Sequence, residues 1–322
     1  MSNPSTPTPL VLDAATVARL LPWPALIEAL ADAFRTGVTA PQRSHHALDT
    51  SPGAVLLVMP AWSAELGVGT KLVTVFPENG RRGMPSIHGV YLLLDPQTGA
   101  PLALIDGGEL TARRTAAASA LASRSLSRAD SRTLLMIGTG RLAHHLPSAH
   151  AAVRALDRIL VWGRSVAKAE ATAKALRATG LPATAVADLN RALGEADIVS
   201  CATLATTPLV HGARLRAGTH VDLVGAFTPA MREADDDTMR RAAAVYTDTL
   251  TGALAEGGDL VQALASGALD RERVRGELAD LCRAPPPPRN AADITVYKSV
   301  GAAIEDLAAA RLCVTRYHDL AR

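Results

Sequence analysis

One segment near the middle of the chain constrains its fold more than any other. In SRTLLMIGTGRLAHHL (131–146), an apolar run typical of a buried strand leads into glycines and then into a helical pattern. The apolar runs RILVWGRS (158–165), ADIVSCAT (196–203) and THVDLVGA (219–226) follow it, separated by helical or loop segments. Strands that alternate with helices form βαβ units. The sequence therefore predicts an α/β fold with a Rossmann-type, doubly wound parallel sheet.

The glycines of this segment form a G-x-G-x-x-A pattern between a strand and a helix. Gly138, Gly140 and Ala143 are its fixed positions. Such glycines allow a tight turn and let backbone N–H groups approach a pyrophosphate at the start of the helix. A plain glycine turn would give the same letters, but the βαβ context favours a dinucleotide site. Pro147 lies early in the following helix, which predicts a kink or a late start.

The end of the second strand bears on the choice of cofactor. An NAD site would have an acidic residue about 20 residues after the glycines, to bind the ribose. Here the strand ends in Arg164 and Ser165, which offer a guanidinium and a hydroxyl to a 2′-phosphate. The sequence therefore favours NADPH, with NADH as the weaker alternative. Arg164 could instead be a solvated residue at a helix start.

The segments on either side have an α+β pattern. Before the parallel sheet, the sequence predicts a helix at 13–36, strands at 54–60 and 71–76, and a hairpin at 89–106 with its turn at 95–99. An alanine-rich helix follows at 110–126 and is expected to start near Thr111. The prolines 285–288 exclude a helix or a central strand. A final helix should pack back on the first domain. We expect domains at 1–125 and 126–295, with residues 296–322 returning to the first.

Charge and composition exclude several classes of partner. The 322 residues have a formal net charge of +2 and no basic stripe, so nucleic acid is not expected. No apolar run reaches the roughly 18 residues of a membrane span. MSNPSTPTPL (1–10) lacks the regions of a signal peptide and is predicted to be a tail. Three scattered cysteines give no disulfide framework, which predicts a cytoplasmic protein.

Most other polar residues are expected to be structural. The histidines 144, 145 and 150 occur without a metal-binding motif, so no metal site is expected and they are predicted to lie on the surface or in loops. The acidic run from Glu233 is predicted to be a solvated helix start. Asp259 is expected either at the rim of an active site or in a structural role. Asp106 should orient the helix that follows it.

Lys71 stands out because lysine is rare in this chain. Only four of the 33 basic residues are lysines, and this one begins the strand-like run KLVTVF. A lysine ammonium is compact and can lose its proton when it is desolvated, which arginine does not do. The alternative is a lysine at a strand end whose charge reaches water.

With these residues in view, the chain resembles the ornithine cyclodeaminase/mu-crystallin family over nearly its whole length. The segments that carry the resemblance are KLVTVFPEN (71–79), GMPSIHGVYLLLDPQTGAPLALIDG (83–107), LTARRTAAASALA (110–122), the GTG loop, VGAFTPAMREAD (224–235) and VYKSVGAAIEDLAAARL (296–312). The resemblance implies a Rossmann-type domain inserted into an α+β domain for substrate binding and dimerisation. It therefore implies a homodimer.

The resemblance also implies roles for individual residues. It places Lys71 against the substrate as the catalytic group, Arg43 at the substrate carboxylate, and Arg114 beside substrate and cofactor. The positions that match cofactor contacts are Ser86, Thr139, Arg141, Leu142, Thr203, Val224 and Ser299. Two positions depart from the cyclodeaminases, which have an aspartate base in place of Phe227 and a glutamate near Leu57.

These departures favour reduction of a preformed cyclic imine. Cyclising ornithine needs a carboxylate for acid–base work, and Phe227 cannot transfer a proton. It can line an apolar pocket for the ring of the substrate. We therefore expect NADPH-dependent reduction of Δ1-pyrroline-2-carboxylate or Δ1-piperideine-2-carboxylate to L-proline or L-pipecolate. The alternatives are an ornithine cyclodeaminase, an amino acid dehydrogenase, and a non-catalytic NADPH-dependent protein that binds a small ligand, as crystallin relatives do.

Overall fold

The computed structural model describes residues 8–320 and 322. Its strands are β1 (Leu10–Leu12), β2 (Ser44–Ala47), β3 (Val55–Ser63), β4 (Gly67–Val75), β5 (Ile87–Leu94), β6 (Pro101–Asp106), β7 (Thr133–Ile137), β8 (Arg158–Trp162), β9 (Ala183–Ala185), β10 (Ile198–Cys201), β11 (His220–Leu223), β12 (Ala242–Thr247), β13 (Val274–Glu277) and β14 (Ile294–Lys298). Its helices are α1 (Ala14–Leu20), α2 (Trp23–Thr36), α3 (Gly107–Leu126), α4 (Leu146–Ala151), α5 (Val166–Ala178), α6 (Leu189–Glu195), α7 (Asp236–Arg241), α8 (Leu250–Glu256), α9 (Gly258–Ala265), α10 (Leu278–Arg283) and α11 (Ala303–Leu320). Residues 1–7 of the predicted N-terminal tail lie outside the described residues.

A six-stranded sheet organises the first of two units, which contains the residues up to Thr115 and those from Ala302 onward. The strand order is β1-β6-β5-β4-β3-β2, with β1 parallel to β6 and the other neighbours antiparallel. The predicted hairpin is confirmed, since β5 pairs with β6 and Asp95 accepts hydrogen bonds from two N–H groups of the turn. Helix α11 lies against α2 and strands β3 to β5, as expected for a last helix that returns to this domain.

Two helix predictions in this unit are wrong in detail. The single helix over 13–36 is two helices, because Pro22 lacks an N–H group and stands at the N-cap of α2. Helix α3 begins at Gly107 rather than near Thr111. Asp106 caps it, with Oδ1 accepting a hydrogen bond of 2.7 Å from the N–H of Glu109. Asp106 therefore orients this helix, as expected.

The second unit, Ala116–Gly301, contains an eight-stranded sheet whose strands are all parallel. The order is β13-β12-β14-β11-β10-β7-β8-β9. The predicted doubly wound sheet is therefore confirmed. The chain runs outward in both directions from β7, so the order reverses between β7 and β10, where this class of sheet binds ligands.

Two proline predictions in the second unit are confirmed. A 3₁₀ turn at Arg141–His144 follows the glycine motif, and α4 starts only at Leu146, with Pro147 in its first turn. The prolines 285–288 lie outside helices and strands.

The two units divide the chain at positions that differ from the expected boundaries of 125/126 and 295/296. The first division falls inside α3, after Thr115, because one continuous helix runs through it. The second falls after Gly301. Residues 296–298 belong to β14, where the segment ITVYK pairs with β11 and β12, and the C-terminal helix starts only at Ala303.

In the described part of the chain, no single helix is long and apolar enough to cross a membrane. The pair α1 and α2 meets the length and composition criteria only when the two are taken together, and they are bent by 80° at their junction.

Candidate active site

Lys71 lies in the middle of β4, opposite Met59 on β3 and Tyr91 on β5. Successive side chains on a strand point to opposite faces, and Gly69 and Lys71 belong to the buried face. The side chain of Lys71 is 2% exposed, and its Nζ lies 2.7 Å from Oδ2 of Asp306 on α11. The ammonium is therefore buried against a carboxylate. The alternative, in which the charge of Lys71 reaches water from a strand end, is therefore wrong.

Arg114 on α3 joins the same buried cluster. Its Nε lies 2.9 Å from Oδ1 of Asp306, and its Nη1 lies 2.6 Å from Oε2 of Glu305. Two cations and two anions thus hold one another away from water. Glu305 and Asp306 were not predicted as site residues. Their signal was an acidic pair inside the alanine-rich segment AAIEDLAAA, where a buried helix face would otherwise be apolar.

The charges around Lys71 set its protonation. Burial lowers the pKa of Lys71 to about 8, the charge of Arg114 lowers it as well, and the ion pair with Asp306 opposes both. The charge of Arg43 also acts to lower this pKa. Burial raises the pKa of the neighbouring Tyr91 well above its usual range, so the phenol stays neutral. Lys71 can therefore give up its proton closer to neutral pH than an exposed lysine.

Two other predicted residues belong to the first unit. Arg43 directly precedes β2 and is half-buried, near enough for its charge to act on Lys71. Ser86 directly precedes β5, and its carbonyl accepts a hydrogen bond of 2.7 Å from the N–H of Phe76. Within this unit the structure thus groups Arg43, Lys71 and Arg114.

The glycine turn of the second unit fits a dinucleotide. Gly138 follows β7 with a φ of 122°, and a Cβ there would lie 2.6 Å from the carbonyl oxygen of Ala202, so only glycine is accommodated. Gly140 has no other atom within 4 Å of the position of a Cβ, so its surroundings are open. An open turn at the carboxyl end of the first strand, at the point where strand order reverses, suits a pyrophosphate.

The other predicted cofactor residues of this region lie in the loops that follow the neighbouring strands β7 and β8. Thr139 is half-buried, while Arg141 and Leu142 open the 3₁₀ turn. Arg164 is exposed directly beyond β8, and Ser165 is the N-cap of α5, accepting a hydrogen bond of 3.4 Å from the N–H of Lys168.

The other predicted residues follow the neighbouring strands. Thr203 comes after β10, Val224 after β11 and Ser299 after β14. The carboxyl ends of parallel strands meet at one edge of the sheet, so these residues share the edge that bears the glycine turn. Phe227 lies in the loop after β11 with 38% of its surface exposed. It offers an apolar ring rather than an acid–base group.

The prediction for Glu233 as a solvated residue is wrong. Glu233 is fully buried, and its carboxylate accepts hydrogen bonds from the backbone N–H groups of Thr203 and Gly225. The solvated helix start lies further along, because α7 begins at Asp236 and Asp235 caps it. The sequence pattern of this acidic run does not distinguish the buried Glu233 from the acids that follow it.

Asp259 is also fully buried. Its Oδ1 accepts hydrogen bonds from the N–H groups of Glu233 and Ala234, at 2.7 and 2.9 Å. Its Oδ2 lies 3.3 Å from Nζ of the buried Lys298. These contacts support the structural role of Asp259.

The prediction for His150 as a surface residue is wrong as well. His150 is fully buried, and its Nε2 lies 3.2 Å from Oδ2 of Asp222. Asp222 also accepts hydrogen bonds from Ser200 at 2.6 Å and Ser119 at 2.9 Å. This network joins α3 and α4 to β10 and β11. In the described residues, no group of three His, Cys, Asp or Glu side chains could hold a metal ion.

Comparison with known proteins identifies the family. The sequence pattern of the ornithine cyclodeaminase/mu-crystallin family matches residues 8–319. The chain belongs to this family. A Δ1-pyrroline-2-carboxylate reductase of Colwellia psychrerythraea is 38% identical over 317 residues, which span 96% of this chain and 99% of that protein.

Solved structures of the family share the whole fold. Δ1-pyrroline-2-carboxylate reductase of Thermococcus litoralis, in complex with NADH and L-proline, has a TM-score of 0.90 at 32% identity and covers 97% of this chain and 98% of its own. Iminosuccinate reductase of Paracoccus denitrificans, in complex with NAD⁺, has a TM-score of 0.87 at 27% identity and covers 97% of each chain. The protein is therefore an NAD(P)H-dependent oxidoreductase of the ketimine reductase group within this family.

Proposed function

We propose that this protein reduces Δ1-pyrroline-2-carboxylate, Δ1-piperideine-2-carboxylate or both, giving L-proline or L-pipecolate, with NADPH as the reductant. The observation that carries the proposal is the buried ammonium of Lys71, paired with Asp306 and close to Arg114. None of the three cysteines forms a disulfide within the described residues, which suits a reaction in the cytoplasm.

The charges of the first unit suit an imino acid. Lys71 and Arg114 pair with Glu305 and Asp306, and the charge of the half-buried Arg43 acts on Lys71. We assign the substrate carboxylate to the guanidinium of Arg43, with Arg114 held in place by its two acids. The residues thereby orient the α-carboxylate and leave the C=N group to Lys71.

Lys71 is the proton donor to the imine nitrogen in this proposal. A protonated C=N group is a better hydride acceptor, and NAD(P)H, when bound, supplies that hydride to the carbon. Lys71 gives its proton to nitrogen directly or through a water molecule, and its lowered pKa makes the transfer easier near neutral pH. To Phe227 we assign a contact with the ring of the substrate.

The preference for NADPH rests on the loop after β8. Arg164 is exposed there, and the loop has no acidic residue that would repel a 2′-phosphate. The hydroxyl of Ser165 stands next to it in sequence. The two related structures contain NADH and NAD⁺, neither of which has a 2′-phosphate, so the proposed preference rests on this loop alone.

A homodimer through the first unit completes the proposal. One face of the six-stranded sheet holds Lys71 and Tyr91, and the opposite face carries exposed apolar side chains. Val11, Leu72 and Leu104 lie on this second face, and they are 78%, 37% and 40% exposed. Exposed apolar side chains on one sheet face are typical of an interface between proteins, and a second copy of the chain would cover them.

A substrate panel tests the proposed reaction. NADPH and NADH oxidation is followed by absorbance with cyclic imino acids, iminosuccinate, and pyruvate plus ammonia. Ornithine with NAD⁺ is assayed for ammonia release. We expect turnover of a cyclic imino acid and none of ornithine, since Phe227 and Leu57 supply no carboxylate. Ammonia release from ornithine at a comparable rate would make the protein a cyclodeaminase. The absence of turnover with every substrate would favour the ligand-binding alternative.

A further inference from the structure

Glu233 occupies a buried position between two strand ends of the second unit. Its Oε1 accepts hydrogen bonds from the backbone N–H of Thr203, at 2.6 Å, and from the Thr203 hydroxyl, at 2.9 Å. Its Oε2 accepts a hydrogen bond of 2.7 Å from the N–H of Gly225. Thr203 follows β10 and Gly225 follows β11, so one carboxylate ties together two loops of the ligand-binding edge.

The two loops approach each other too closely for a side chain at Gly225. A Cβ there would lie 2.0 Å from the carbonyl oxygen of Thr203 and 2.5 Å from Oε1 of Glu233. The backbone of Glu233 is fixed as well, since its N–H donates to Asp259 and its carbonyl accepts from Leu209 at 2.8 Å. The carboxylate therefore has a rigid support on one side and two cofactor loops on the other.

We propose that Glu233 is a positioning residue for the cofactor, and that its ionised form holds the loops of Thr203 and Gly225 in the arrangement that binds NAD(P)H. This inference rests on the proposed function only in the use of NAD(P)H. It does not depend on which imino acid is reduced.

The protonation state of Glu233 matters because the loops of Thr203 and Gly225 present three hydrogen-bond donors to it. A carboxylate accepts all three of these hydrogen bonds, whereas a protonated carboxyl presents an O–H in place of one acceptor. One N–H or hydroxyl of the loops would then lose its partner in a buried place, and the loops would shift to satisfy it. Cofactor binding should therefore weaken when Glu233 takes up a proton.

The surrounding charges place this change close to neutral pH. Burial raises the pKa of Glu233 to about 7, Lys298 on β14 lowers it, and Asp259 on α9 raises it. The thiol of Cys201 on β10 and the N–H of Thr203 also lower it by hydrogen bonding to the ionised form. Two buried acids thus share one lysine.

Binding of NADH without substrate tests the proposal, because NADH lacks a 2′-phosphate that would titrate in the same range. Calorimetry between about pH 6 and pH 8.5 should show the wild-type affinity falling about tenfold as the pH is lowered. In Glu233→Gln the affinity should be about tenfold weaker at high pH and nearly independent of pH. Glu272→Gln, a change at an exposed glutamate of the same unit, is the matched control and should bind as wild type.

A second variant keeps the test decisive if Glu233→Gln does not fold. Lys298→Met removes the charge that favours ionised Glu233, so the midpoint of the pH dependence should move to higher pH. The melting temperature of each cofactor-free variant separates loss of folding from loss of binding. Pure loss of stability with wild-type NADH affinity would overturn the proposal.

Three further results would also overturn it. They are a wild-type affinity that is constant across this pH range, a pH dependence that survives in Glu233→Gln and so belongs to another group, and an unshifted midpoint in Lys298→Met. If the wild type bound neither NADH nor NADPH at any pH, the proposed function itself would fail, and this inference with it.

Discussion

At the scale of single residues, the chemistry of the first unit depends on partners far apart in sequence. The rarity of lysine singled out Lys71, and the family resemblance supplied Arg43 and Arg114. The role of Asp306 depends on α11 packing against β4, a tertiary contact that the acidic pair in its segment does not predict. Glu233 was misread for the same reason, since the burial of an acid is decided by the fold.

The ion pair with Asp306 gives a pH prediction. Imine reduction needs protonated Lys71, whose pKa is about 8, so kcat/KM should fall as the pH rises through that value. The charge of Asp306 raises this pKa. Asp306→Asn should therefore lower it and move the basic limb of the kcat/KM profile to lower pH.

Initial rates between about pH 6 and pH 10 measure this limb. Glu305→Gln is the matched control, because Glu305 pairs with Arg114 rather than Lys71, and its limb should move less. An unchanged limb in Asp306→Asn would show that the titrating group is not Lys71.

At the scale of elements, local patterns predicted most of the structure. Apolar periodicity located the strands β3 to β8, the hairpin and the glycine turn, because each is encoded by adjacent residues. The apolar pattern over 13–36 predicts one helix, although Pro22 marks the break between α1 and α2. The expected boundary at 295/296 divides the short strand β14, although the β-branched residues Ile294, Thr295 and Val296 are typical of a strand.

The loop after β8 carries the prediction on cofactor choice. Arg164→Ala removes one charge-assisted contact with the 2′-phosphate, worth about 1.5–3 kcal/mol, which weakens NADPH binding roughly 10- to 150-fold. NADH binding should barely change. Dissociation constants for both cofactors check this, with Arg158→Ala at the opposite end of the same strand as the control. Equal losses for both cofactors would show that Arg164 does not bind the phosphate.

At the scale of the whole molecule, the insertion of a parallel-sheet domain into an α+β domain followed from the order of the patterns along the chain. The exact divisions did not, because α3 continues through one of them without a change in composition. The buried polar networks of Glu233 and His150 likewise exist only once distant strands are side by side.

The apolar sheet face predicts the oligomeric state. Leu104→Asp places a charge at the centre of the proposed interface, so it should convert the dimer to a monomer at micromolar concentration. Light scattering measures the mass. Val166→Asp, a change at an exposed apolar residue of the second unit, should leave the dimer intact. A wild-type protein that is monomeric and active would contradict the proposed dimer.

Turnover of a cyclic imino acid by Lys71→Arg distinguishes a proton donor from a structural lysine. Arginine keeps the charge and a long stem, but its proton is not available below a pH of about 12. General acid catalysis is typically worth roughly 10²- to 10⁴-fold. We therefore expect Lys71→Arg to lose most of kcat while it still binds NADPH, and Lys71→Met to fail in the same way. A Lys71→Arg enzyme that kept more than about half of the wild-type kcat/KM, a loss well under 1 kcal/mol, would contradict the role of Lys71 as the proton donor.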